Sequence, residues 1–198
     1  MENKNEIFDI IITLTKGIKE SGDDRIQCNI DGKEYIVWKS RYLLNQYIRL
    51  YQIDQSHTLI SRKAKEVWEK ISNDDINNYY YQKIVKCENE SPVKVKYYRG
   101  NENTFVEKDL MKGDEFHYRQ VFHDEHIIPI KLIIDHLVKL NKENNLNYKT
   151  IEEVLNNIYV CKMLKEEDRG LNNKYNRPYN LDEIIEKYYK PAGIDIIK

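Results

Sequence analysis

The chain has 198 residues, of which 40% are hydrophobic and 33% charged, with a formal net charge of −1. That length buries a core without staples, and 16 tyrosines beside 26 isoleucines exclude a disordered chain. The charge balance excludes a uniformly basic nucleic-acid coat but leaves room for a local basic face, and no apolar run approaches the ~18 residues of a membrane span.

Ile7, Ile10, Ile11, Leu14 and Ile18 recur at helical spacing, which predicts a helix over 1–20 stopped by Ser21-Gly22-Asp23-Asp24. Its Ile10-Ile11-Ile12 cluster follows acidic residues and lacks a basic flank, so it does not read as a signal peptide. Asp31-Gly32 between two alternating runs, 25–30 and 33–38, predicts a β-hairpin. Helices are predicted over 40–51 and 61–72, with Ser40 and Ser61 as N-caps. The stretch 73–90 is polar and ambiguous. Strands are predicted over 92–98, 104–110 and 115–123, and helices over 130–141, 150–156, 161–171 and 181–189.

These elements predict an α+β fold. A helical N-terminal lobe with one hairpin spans about 1–85, and a strand-then-helix C-terminal lobe spans about 86–198. No linker separates them, so a single two-lobed unit is equally compatible with the pattern. Cys28, Cys87 and Cys161 form no CxxC pair, which argues against a zinc knuckle and predicts reduced thiols in a cytoplasmic protein.

The chemistry concentrates at His123-Asp124-Glu125-His126, followed by Ile127-Ile128-Pro129. A carboxylate next to an imidazole at a strand end can hold a divalent metal while the imidazole acts as a base. Adjacent strand residues point to opposite faces, so the pair converges only where the strand ends or bends, and Pro129 favours that. A second stretch holds Asn157-Ile158-Tyr159-Val160-Cys161 and then Glu166-Glu167-Asp168.

Together the two stretches resemble the HNH nucleases, whose fold is a β-hairpin and a helix around one metal ion (ββα-metal). Glu125-His126-Ile127-Ile128-Pro129 matches where that family shows Asp-His-Ile-x-Pro, and Asn157-Ile158-Tyr159-Val160-Cys161 matches Asn-Leu-x-x-Leu-Cys. The resemblance covers roughly residues 115–172. It implies an HNH-like C-terminal lobe, with His126 as general base, Glu125 as metal ligand and Asn157 orienting the base. Asp168, then Glu167, is the implied second ligand, and Asp124 stands beside the first. His123 and Arg119 are candidates for the scissile phosphate. Glu in place of Asp, and acids in place of His or Asn, preserve hard oxygen donors suited to Mg²⁺ or Mn²⁺. Asn157 stands 31 positions after His126.

Plainer readings stand beside these. The acids at 166–168 could form a solvated helix face, Asn157 could merely end a helix, and His123 could be a surface histidine. Cys161 reads as a buried small hydrophobe, His136 as a core-edge histidine and His57 as an exposed one.

Residues 33–70 carry eight Lys/Arg, including Arg41, Arg62, Lys63 and Lys65, against four acids. The two helices there could dock in a groove as a helix-turn-helix does, or could simply expose a charged face. Lys94, Lys96 and Arg99 form a second basic strip. The resemblance therefore implies a metal-dependent endonuclease on double-stranded DNA, of the type II restriction kind or a related defence nuclease, possible as a two-fold dimer. The alternative is a non-catalytic DNA-binding or protein-interaction module.

Overall fold

A computed structural model describes residues 4–18, 26–30, 33–37, 40–55, 57–171 and 177–197, with side chains at 5–18, 40–49, 57–171 and 177–197. The fold mixes helices with small sheets. The chain divides into two compact units, each discontinuous in sequence: residues 1–56 with 128–158, and 57–127 with 159–198. The break expected near residue 85 falls inside the second unit.

The first unit is largely helical. It comprises α1 (Lys4–Lys16), a hairpin of β1 (Ile26–Ile30) and β2 (Lys33–Val37), α2 (Ser40–Gln55), α4 (Ile130–Lys142) and α5 (Tyr148–Asn156), with α3 (Arg62–Ile71) belonging to the second unit. The antiparallel β1–β2 pairing matches the expected hairpin. Its Asp31-Gly32 turn, the 21–24 stop and Cys28's side chain lie outside the described residues. In α1 the buried side chains are Phe8, Ile11 and Thr15, whereas Ile10 is exposed, so the inward face is rotated from the one expected. Thr15 satisfies its buried hydroxyl by donating to the Ile11 carbonyl, 2.7 Å away. Helices α1, α2, α4 and α5 pack on one another through Leu44, Ile48, Ile133, Ile134, Leu137, Ile151 and Leu155. Gly17 is needed where α1 ends, because a Cβ there would lie 2.7 Å from Ser40 Oγ.

The second unit is built on a four-stranded sheet in the order β10-β3-β9-β8. Its strands are β3 (His57–Ser61), β8 (Phe122–His126), β9 (Tyr159–Leu164) and β10 (Ile196–Ile197). Strand β3 runs parallel to β9, and β9 runs antiparallel to β8. Helix α3 (Arg62–Ile71) leaves β3 directly, and α6 (Lys165–Gly170) leaves β9 directly. Two further antiparallel pairs complete the unit: β4 (Ile84–Lys86) with β7 (Glu115–His117), and β5 (Val93–Arg99) with β6 (Thr104–Leu110). A short α7 (Leu181–Ile184) continues into a π-helical turn at Ile185–Tyr189.

The core of this unit is aromatic. Trp68 meets Phe122 edge-on at 5.5 Å, and Tyr118 stacks on Phe122 at 5.2 Å. Tyr118 explains why no single strand spans 115–123. A 3-10 turn at Tyr118–Gln120 breaks that run and turns the fully buried Tyr118 ring inward. The helix expected over 161–171 begins only at Lys165. Cys161, Lys162, Met163 and Leu164 are all buried, so the segment is covered on both faces and forms β9. Five residues of strand β3 stand between α2 and α3, so those helices are not joined by a helix-turn-helix turn. Ser61 caps α3 as expected, accepting from the Ala64 amide at 3.1 Å. No helix among the described residues is long and apolar enough to cross a membrane.

Candidate metal centre

Strand β8 carries a polar sequence, and its two faces divide the labour. On one face Phe122 enters the aromatic core. On the same face Asp124 lies directly opposite Lys162 of β9. Lys162 Nζ is 3.1 Å from Asp124 Oδ1 and donates to the Tyr79 carbonyl at 2.6 Å. The Tyr118 hydroxyl donates to the same Asp124 oxygen at 3.0 Å. Burial, with the Asp124 charge second, pushes the Tyr118 phenol well above its ordinary range, so it stays a donor. Asp124 is thus held in a satisfied structural network.

The other face carries His123 and Glu125, two residues apart and therefore side by side. Helix α6 adds Asp168. His123 Nε2 lies 3.6 Å from Glu125 Oε2 and 3.5 Å from Asp168 Oδ1. One ligand atom from each of the three falls within 4.8 Å of the others. Both carboxylates are buried, and His123 is half-buried.

Among the described residues, two cations adjoin the cluster. Lys165 Nζ is 3.3 Å from His123 Nδ1. The side chain of Arg177 is fully buried, and its Nη1 lies 3.3 Å from Glu125 Oε1. The same nitrogen donates to the Ile127 carbonyl at 3.1 Å and to the Tyr189 hydroxyl at 3.2 Å. Arg177 Nε and Nη2 have no hydrogen-bond partner among the described residues. Burial, then the Glu125 charge, pushes the Tyr189 phenol far up, so it remains a neutral hydroxyl.

The three acids of α6 have three different surroundings. Glu166 pairs with Lys96 at 2.6 Å and holds that ammonium above its ordinary range by the hydrogen bond. Glu167 turns away from the cluster. Its Oε2 accepts from the Ser61 hydroxyl at 2.6 Å and from the Leu164 amide at 2.9 Å. Asp168 alone joins His123 and Glu125.

His126 is the last residue of β8, paired with Val160, and the chain bends at Ile127 and Ile128. Strand alternation sets it on the Asp124 face. Asn157 belongs to the first unit, where its amide donates to the Glu153 carbonyl at 2.8 Å at the end of α5. Of the expected DNA contacts, Arg41 pairs with Asp135 at 2.7 Å, Arg62 with Asp195 at 2.7 Å and Lys65 with Glu69 at 3.8 Å. Lys63, Lys94 and Arg119 are exposed. The side chains of Lys33 and Lys39 lie outside the described residues.

Arg177 and Lys165 went unnoticed in the sequence. Lys165 sits one turn before Asp168, a spacing that could have flagged it. Nothing around Arg177 distinguishes it. Comparison with protein-family models, with curated proteins and with solved structures returns no significant match.

Proposed function

We propose that this chain is a metal-dependent DNA endonuclease of the HNH type, hydrolysing phosphodiester bonds in double-stranded DNA as a type II restriction enzyme or related defence nuclease does. The observation that carries this reading is the meeting of His123 and Glu125 with Asp168, residues from two distant stretches of chain. Strand β8, strand β9 and helix α6 also follow in the order of a ββα unit, with residues 130–156 inserted between the strands.

The two carboxylate oxygens suit Mg²⁺ or Mn²⁺, while the imidazole nitrogen is a donor more usual for Zn²⁺ or Fe²⁺. Such an ion, when held there, stabilises charge growing on the phosphate and on the leaving oxygen. Arg177 holds Glu125 from behind and fixes its orientation without blocking the His123 side. The His123 lone pair that faces both carboxylates serves as a ligand, so proton abstraction falls to another group. His126, the base that the resemblance implies, ends β8 on the opposite face from the three ligands, so in this reading it takes the proton from a water that reaches it past the strand end at Ile127. Lys165 contributes positive charge beside the cluster for the phosphate.

The test is cleavage of supercoiled plasmid with Mg²⁺ or Mn²⁺, alongside calorimetric Mn²⁺ binding. His126→Ala is expected to lose at least about a hundredfold in rate while keeping its Mn²⁺ affinity. His123→Ala is expected to lose affinity as well. Equal cleavage by wild type and His126→Ala rejects the assigned base. A wild-type protein that neither binds Mn²⁺ nor cleaves DNA rejects the nuclease reading in favour of a non-catalytic module.

A further inference from the structure

A groove of about 480 Å³ in the second unit is walled by Tyr81, Tyr97, Tyr98, Arg99, Arg119 and Lys165, among others. Two arginines here are anchored on tyrosines of the groove wall: Arg119, itself on the wall, and Arg169, which packs on Tyr98 beside it. Arg119 lies over the Tyr81 ring at 4.9 Å and donates to that hydroxyl at 3.0 Å. Arg169, on α6 beside Asp168, lies over the Tyr98 ring at 4.9 Å and donates to its hydroxyl at 2.6 Å. Lys165 reaches the same ring at 5.7 Å and also touches His123.

Several other surface cations of this unit are held by acids: Lys96 by Glu166, Lys112 by Glu90, Lys187 by Glu183 and Lys190 by Glu186. Among the described residues, neither Arg119 nor Arg169 has a carboxylate partner. A tyrosine face and hydroxyl fix a guanidinium in place without cancelling its charge. The one acid on the groove wall, Glu102, is engaged by Arg99 at 3.4 Å. The groove therefore presents pre-oriented, uncancelled forks suited to phosphate oxygens. It ends at Lys165, which borders the candidate metal centre.

We infer that this groove, with Arg169 beside it, binds the sugar-phosphate backbone of the DNA strand flanking the scissile phosphate, Arg119 and Arg169 each taking one phosphate. The inference rests on the nuclease reading for its substrate, but its test does not require cleavage. Binding of a fluorescein-labelled DNA duplex is measured by anisotropy in EDTA from low to moderate salt. Arg119→Gln with Arg169→Gln is expected to raise Kd about tenfold or more and to reduce the salt slope by about two. Restoring charge with Lys at both positions should recover most of the slope. Lys112→Gln and Lys187→Gln, outside the groove, should stay within about twofold of wild type. Both arginines are exposed, and a melting curve checks that the double variant is folded.

Wild-type affinity and slope in the folded double variant overturn the inference, even if plasmid cleavage is intact. Groove-dependent DNA binding by a protein that holds no Mn²⁺ and cuts nothing supports the groove and overturns the nuclease reading instead. A matched RNA identifies the source of the backbone. Loss for DNA supports the assignment, whereas loss for RNA alone overturns it.

Discussion

Ser61 and Glu167 share a hydrogen bond of 2.6 Å across 106 positions of chain. Ser61 already caps α3, so the one hydroxyl ties the start of α3 to the start of α6. The bond turns Glu167 inward and leaves Asp168 as the acid of α6 that faces His123 and Glu125.

The two acids should therefore separate in a binding experiment. Asp168→Asn is expected to weaken Mn²⁺ binding by tenfold or more, about 1.4 kcal/mol or greater. Glu167→Gln should leave that affinity within about twofold. Calorimetric titration of each folded variant checks this. Equal losses in both would remove the distinction.

Lys162 is a structural cation. Its side chain is 7% exposed and its ammonium serves both Asp124 and the Tyr79 carbonyl. Lys162→Ala leaves Asp124, whose side chain is 25% exposed, with the Tyr118 hydroxyl but without its cation, and should destabilise the fold by roughly 1–3 kcal/mol. Urea denaturation measures this, and a change under about 1 kcal/mol would show that the pair is not a structural pin.

His136 on α4 titrates below its ordinary range, first because burial disfavours the charged ring and second because Lys139 repels it. The folded state then binds a proton less readily than the unfolded chain. This side chain costs nothing above the unfolded value of about 6.5 and destabilises the fold progressively as pH falls below it. His136→Gln should flatten the stability profile between about pH 7 and 5. An imidazole resonance titrating above the free value would contradict this.

Cys161 should be inert in the native protein. Its side chain is fully buried, and burial, followed by the charges of Glu167 and Glu125, pushes the thiol far above its ordinary range. Alkylation with iodoacetamide followed by peptide mass spectrometry should find this thiol unmodified until denaturant is added. Rapid native labelling would mean that β9 opens.

Local patterns were readable where one face is wet and the other dry. The alternation of Val93, Val95 and Tyr97 against Lys94 and Lys96 announced β5, and its partner β6 followed from the turn. Ser61 before an apolar period announced α3 and its cap. Where both faces are covered the period vanishes, which is why 161–164 resembled the start of a helix and proved to be β9. The inward face of α1 was misjudged for a related reason. Five isoleucines and leucines spread over its circumference offer more than one stripe, and packing against α2 and α4 selects Phe8 and Ile11.

Residue types alone marked Glu125 as a carboxylate to watch, because a hard oxygen donor next to an imidazole is chemically legible wherever it stands in a chain, and the resemblance to the HNH nucleases added an acid near 168. The side chains that surround them were decided only by tertiary structure. A strand's alternation pairs Glu125 with His123 two residues away, a hydrogen bond from Ser61 removes Glu167, and a fully buried Arg177 arrives from 52 positions further along. Only the first of these has a local cause; the other two depend on which distant strand or helix end lies within about 4 Å, and burial against distant partners, not sequence neighbourhood, sets that distance.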